Sequence, residues 1–181
     1  GQQGWTEAWR SAEPKRRYEV VVIGGGGHGL ATAYYLARKH GITDVAVLEK
    51  GWIGGGNTGR NTTNVRSDYM YPESAAIYDF GLRLYEGLAR EVNFNIMLSK
   101  RGWLTLVHSR HQMELARHKA NWLSCNGVDG KFIDPEEVRR LLPLLASDAH
   151  SRFPLFGAFL QKRGGTIRHD AVAWGYARGA S

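Results

Sequence analysis

Apolar positions fall in short blocks whose period changes along the chain. "YEVVVI", Tyr18–Ile23, is a continuous β-branched run and predicts a buried parallel strand. Leu30–Lys39 predicts a helix ending near Gly41, and "VAVLE", Val45–Glu49, a second strand. Pro72 precedes a further helix, in which Ile77, Phe80, Leu84 and Leu88 recur at helical spacing and predict a core stripe. Trp103–His108 predicts a strand, and Gln112–Ser124 a helix stopped by Asn126-Gly127. In "DPEEVRRLL", Asp134 is placed to cap a helix with Pro135 at its first position and Glu137 three residues on. Pro143 marks its end. Gly157–Ile167 predicts a strand pair around Gly164-Gly165, and Asp170 is expected to cap a last helix, "DAVAWGYARGA". Gly1–Arg17 is polar and aperiodic, an arm whose Trp5 and Trp9 could anchor on a partner or on the domain itself.

Strand, turn, helix and strand in that order predict an α/β fold. The length, 181 residues, suits one domain or part of a larger interleaved one. Lys and Arg exceed Asp and Glu by 24 − 17 = 7, spread along the chain except at Lys15-Arg16-Arg17. That is a solvated surface with some help for an anionic cofactor. A nucleic-acid partner is not expected, because neither a clustered basic face nor a recognised module is present. One cysteine, Cys125, excludes an internal disulfide and fits a cytoplasmic setting; it is expected to be a small buried residue. No membrane partner is expected, because no apolar run approaches the roughly 20 residues of a span. His108 and His111 lack further ligands, so no metal site is expected. The chain opens on Gly1 without an initiator methionine and stops at Ser181 within a helical pattern, so we expect a fragment or a processed subunit.

The chemistry concentrates in two glycine runs. In Gly24-Gly25-Gly26-Gly27-His28-Gly29, the G-x-G-x-x-G pattern falls on Gly24, Gly26 and Gly29, between a predicted strand and a predicted helix. Gly24 permits the tight turn, Gly26 lets backbone approach a pyrophosphate, and Gly29 allows helix to pack on strand. The helix N-terminus offers free N–H groups to phosphates. Glu49, 20 residues after Gly29, would accept hydrogen bonds from ribose hydroxyls and argues against a 2′-phosphate. Gly27, His28 and Lys50 complete this set, with His28 shaping the turn rather than doing chemistry.

A plain NAD domain needs only the first run. The second, Gly54-Gly55-Gly56-Asn57-Thr58-Gly59-Arg60-Asn61-Thr62-Thr63, follows the second strand directly. Small residues let backbone pass close to a ligand, and Asn and Thr add hydrogen-bonding groups without bulk. Gly56, Asn57, Thr58, Arg60, Asn61 and Thr62 are therefore candidates for contact with a long cofactor. FAD fits two such runs better than NAD.

"EVVVIGGGGHGLATAYYLARKHGITDVAVLEKGWIGGGNTGRNTTNVRSDY", "FIDPEEVRRLLP" and "RHDAVAWGYAR" closely resemble the beta subunits of bacterial heterotetrameric sarcosine oxidases. The likeness runs from about Tyr18 to Ser181 and matches the N-terminal part of such subunits. It implies a non-covalent FAD and an FMN bound covalently to a histidine at the interface with an alpha subunit. It also implies oxidation of sarcosine or a related N-methyl amino acid, with electrons passing from FAD to FMN to oxygen and the one-carbon unit going to water or tetrahydrofolate. Alpha and smaller subunits would be the partners. By the same resemblance Arg66 would bind the substrate carboxylate, a task suited to a bidentate, permanently charged guanidinium. His169 would carry the FMN.

The expected organisation is an arm over 1–17, a first segment of a Rossmann-like FAD-binding domain over 18–92, part of a smaller α+β substrate-type domain over 93–163, and a truncated return to the FAD domain over 164–181. Three other readings stay open at this point: another FAD-dependent amino acid or opine oxidase or dehydrogenase subunit, an NAD-dependent enzyme, and a non-catalytic cofactor-binding fragment.

Overall fold

In this computed structural model residues 13–145 and 151–181 are described, so the expected anchors Trp5 and Trp9 lie outside them. The elements run β1 (Val20–Ile23), α1 (Gly27–His40), β2 (Val45–Leu48), a 3-10 turn (Asn57–Arg60), β3 (Asn64–Val65), α2 (Pro72–Glu91), β4 (Trp103–Val107), α3 (Arg110–Cys125), β5 (Lys131–Ile133), α4 (Pro135–Leu141), β6 (Gly157–Gln161), β7 (Gly165–Thr166) and α5 (His169–Ala180). They form two compact units. One holds the described residues up to Thr63 with Gly87–Leu98 and Ile167–Ser181; the other holds Asn64–Glu86 and Ser99–Thr166.

In the first unit β1 and β2 are parallel, Val20 opposite Val45 through Ile23 opposite Leu48. α1 buries Leu30, Ala33 and Tyr34, a single stripe at positions i, i+3 and i+4. It packs against α5, where Val172, Ala173 and Tyr176 are buried. The Tyr34 and Tyr176 rings lie 5.6 Å apart. Gly41 ends α1 in the left-handed conformation; its N–H bonds the Ala37 carbonyl, and the N–H of Ile42 that of Leu36, each at 3.1 Å.

In the second unit β4, β6 and β5 form an antiparallel sheet in that order, and β3 pairs antiparallel with β7. α3 lays Ala116, Ala120 and Leu123 into a cluster with Val107, Val128 and the buried Phe159. Val138 of α4 joins Ile133 and Ala158. Asp134 caps α4 by accepting the Glu137 N–H at 2.8 Å, with Pro135 next to it. The α/β reading holds, with the parallel pair in one unit and helices on an antiparallel sheet in the other.

Several local expectations need correction. The strands are shorter than the apolar runs, and α1 begins at Gly27 rather than Leu30, because the helical bond from Leu30 N–H to the Gly26 carbonyl is already made. Ile77 and Phe80 are 69% and 64% exposed. The buried residues of α2 include Ala75, Asp79 and Leu82 as well as Leu88. Asp79 faces inwards because Arg83 and Arg163 bind its carboxylate, which turns the apolar stripe away from Ile77. Gly157–Ile167 is not a strand pair: β6 pairs with β4 and β5, and β7 with β3. Asp170 does not cap α5. Arg168 stands at the cap position, and its guanidinium engages the Asp170 carboxylate at 2.9 and 2.6 Å. Cys125 is exposed, not buried, at the last residue of α3.

Candidate cofactor and substrate sites

The first glycine run folds as a strand-to-helix turn. Gly24 has φ +112°, a conformation that L side chains rarely adopt. Its N–H is bound by the Leu48 carbonyl at 2.8 Å, which ties the turn to the end of β2. A Cβ on Gly29 would stand 2.0 Å from the Gly24 carbonyl oxygen, so only glycine fits there. Gly26 precedes α1 without a side-chain cap, leaving helix N–H groups for a ligand. His28 is exposed on the first turn, and its carbonyl accepts from Thr32 Oγ1.

Glu49 closes this turn. Its Oε2 accepts the Gly25 N–H and its Oε1 the Gly51 N–H, each at 2.8 Å. These two bonds, the one from Gly25 foremost, hold its carboxyl below the usual carboxylate range, with Lys50 adding a smaller effect of the same sign. Each oxygen keeps a further lone pair for a hydroxyl donor.

The second run lies on the first. Gly54 N–H donates to the Gly25 carbonyl at 2.9 Å, and Gly27 N–H donates to Thr58 Oγ1 at 3.0 Å. Thr58 thus accepts with its oxygen and keeps its hydroxyl proton for another acceptor. Gly56 precedes the 3-10 turn that carries Asn57, Thr58 and Arg60. Asn61 staples the loop, donating to the Thr58 carbonyl at 2.6 Å and accepting the Thr63 N–H at 2.7 Å. Thr62 is exposed. Thr63 holds φ 61°, costly for a β-branched residue; its carbonyl accepts the Ile167 N–H at 2.9 Å. The end of the second run is thereby pinned two residues before His169.

His169 opens α5 with its Nδ1 buried and without a hydrogen-bond partner. Asp170 Oδ1 is 4.0 Å away, too long for a hydrogen bond. An unpartnered buried polar atom costs about 1–3 kcal/mol, a cost that any partner for this nitrogen would offset. In chemical terms the first unit offers a phosphate-sized turn with free N–H groups, a carboxylate for hydroxyls, and an imidazole with an unused nitrogen. The turn and the carboxylate fit a dinucleotide flavin.

In the second unit Arg66 follows β3 and lines a cavity of about 240 Å³ with Tyr69, Tyr78 and Tyr85 among its walls. The Tyr69 and Tyr78 rings stack at 4.1 Å. Arg66 Nη1 donates to Asp68 Oδ1 at 2.5 Å. The sequence reading missed Asp68, although its spacing of two from Arg66 puts both on one side of an extended segment. Its other partner, Lys119, is 51 residues away and carries no local signal. Among the described residues no cluster of His, Cys, Asp and Glu is arranged to hold a metal ion, and no helix is long and apolar enough to cross a membrane.

The profile of the DAO family, described as FAD dependent oxidoreductase, matches residues 19–181. A sarcosine oxidase subunit beta of Rhodobacter capsulatus is 54% identical over 178 residues, 98% of this chain and 43% of the relative. One of Arthrobacter sp is 47% identical over 173 residues, 96% of this chain and 43% of the relative. The chain therefore spans less than half the length of these curated relatives. Among solved structures, L-proline dehydrogenase from P. horikoshii superposes with a TM-score of 0.79 at 27% identity, covering 91% of this chain and 41% of that one. With the glycine turn, the Glu49 carboxylate and this family match in agreement, the chain belongs to the DAO family of FAD dependent oxidoreductases.

Proposed function

We propose that the full-length protein oxidises sarcosine or a related N-methyl amino acid as the FAD-binding subunit of a multi-subunit complex. The observation that carries this reading is the turn in which Gly24, Gly26 and Gly29 meet Glu49, in a chain 54% identical to a sarcosine oxidase subunit beta. When bound, FAD supplies the two-electron oxidation at the N-methyl carbon, with FMN and then oxygen downstream.

The chain's own residues bind and orient. The N–H groups at the start of α1 receive the pyrophosphate, Glu49 takes the ribose hydroxyls, and Lys50 adds positive charge beside it. Gly56, Asn57, Thr58, Arg60, Asn61 and Thr62 would line the cofactor beyond its adenosine end, where the Thr58 hydroxyl would donate a hydrogen bond to a ligand oxygen. Arg66 clamps the substrate carboxylate through the donors that Asp68 leaves free. His169 is the attachment point for FMN through its unpartnered Nδ1, in a pocket completed by an alpha subunit. The domain limits expected at 92/93 and 163/164 belong to this reading of the longer protein.

Purification of the full-length protein with its partner subunits tests the proposal. Releasable FAD, acid-stable flavin and sarcosine-dependent oxygen uptake are expected. Turnover of proline or glycine in preference to sarcosine would place the protein among other FAD-dependent amino acid oxidases, and a colourless protein requiring NAD would remove the flavin reading altogether.

A further inference from the structure

Asp68 is fully buried, and both its oxygens are taken by cations. Oδ1 receives Arg66 Nη1 at 2.5 Å and Oδ2 receives Lys119 Nζ at 2.5 Å, while the cationic side chains are 31% and 24% exposed. A buried carboxylate needs such partners. The Arg66 guanidinium carbon also lies over two aromatic rings, 4.8 Å from the Tyr69 ring centre and 5.3 Å from that of Trp103. Bound at one terminal nitrogen and packed against two rings, the guanidinium keeps its other N–H groups for a planar acceptor. The three charged groups sum to one positive charge.

We propose that Asp68 is the positioning residue for Arg66, and that Lys119 leaves the cluster with one net positive charge, fitting it to ligands with a single carboxylate. The inference rests on the reading of Arg66 as the carboxylate binder. Without Asp68 the guanidinium loses the bond that sets its plane. Without Lys119, Asp68 neutralises Arg66, and an incoming carboxylate meets a pair of no net charge.

The experiment uses the full-length, FAD-loaded complex and two substrates, sarcosine and its primary amide, which share the N-methyl group but not the carboxylate. Asp68→Asn should raise the Michaelis constant for the acid about tenfold and leave kcat and the amide's constant in place. In an Arg66→Ala background the same change should add nothing further. Equal losses on acid and amide, or a full additional loss in the Arg66→Ala background, would overturn the positioning role and leave a structural ion pair. If Asp68→Asn does not fold, Lys119→Met decides, because Lys119 is partly exposed. It should raise the acid's constant alone by roughly threefold, the scale of one partly exposed charge, and an unchanged acid-to-amide ratio overturns the proposal. Should Arg66→Ala itself leave that ratio unchanged, the carboxylate reading of Arg66 falls, and this inference with it.

Discussion

Gly27 gives its backbone N–H to the hydroxyl of Thr58, 31 residues later, at 3.0 Å. That bond joins the two glycine runs and makes the second one part of the helix terminus. Thr58→Val keeps the shape but removes the acceptor, leaving a helix N–H without its partner at a cost of about 1 kcal/mol. Thr58→Ser keeps the bond. In the full-length protein the valine variant should release FAD more readily in a dilution assay, with the serine variant close to wild type. Equal retention in all three would detach Thr58 from the cofactor.

Gly26 is the second position to probe. A Cβ there would stand 3.1 Å from Thr58 Oγ1, so the two γ-carbons of valine would enter the space in front of the helix. Gly26→Val should purify as apoprotein with a thermal midpoint near that of wild-type apoprotein. Stoichiometric flavin in that variant would mean the pyrophosphate lies elsewhere.

Glu49 predicts a pH effect with a definite sign. The N–H groups of Gly25 and then Gly51 lower its pKa in the folded state. A depressed carboxylate contributes stability at and above neutral pH that fades as pH falls through the acid carboxylate range. Glu49→Gln should therefore melt below wild type at neutral pH, and the gap should close on acidification. A gap independent of pH would show that charge at Glu49 is immaterial.

Elements set by local rules were legible in the sequence. Asp134 with Pro135 gave a helix start, Asn126-Gly127 a helix stop, and the first glycine run its turn, because each depends on residues within a few positions. Strand pairing was not legible. β6 and β7 take partners from β3, β4 and β5, and no pattern within Gly157–Ile167 names them. The stripe on α2 was misread for a similar reason: Asp79 is buried by Arg163, 84 residues away. In the site, Glu49 could be singled out by type and spacing and Arg66 by the family resemblance, whereas Lys119 reaches Asp68 only through the tertiary fold.

Arg66 gives the prediction nearest the substrate. Its guanidinium is about two-thirds buried, and losing a charge-assisted pair of this kind costs about 2 kcal/mol or more. Arg66→Ala should raise the Michaelis constant for sarcosine by roughly 30-fold. Saturation kinetics on the assembled complex measure it directly, and an unaltered constant would return Arg66 to a role in the Asp68 ion pair alone.

His169 carries the sharpest test. Its Nδ1 is buried and unpartnered, which a structural histidine normally avoids by bonding a carbonyl or carboxylate. Asp170, the nearest carboxylate, is instead committed to Arg168 by two bonds. The segment entering His169 is fixed by Ile167 N–H on the Thr63 carbonyl and Arg168 N–H on that of Ile96, so the imidazole is presented from an anchored backbone. A covalent link at Nδ1 would remove the unpartnered atom. In the assembled wild-type complex, acid precipitation should leave flavin on this subunit, and peptide mass mapping should place it on His169. His169→Ala should lose that flavin while keeping releasable FAD, which separates the two cofactors. His169→Asn should lose it too, because an amide nitrogen is not nucleophilic. Covalent flavin surviving both substitutions, or none in the wild-type complex, would turn the assignment towards an oxidase with FAD alone.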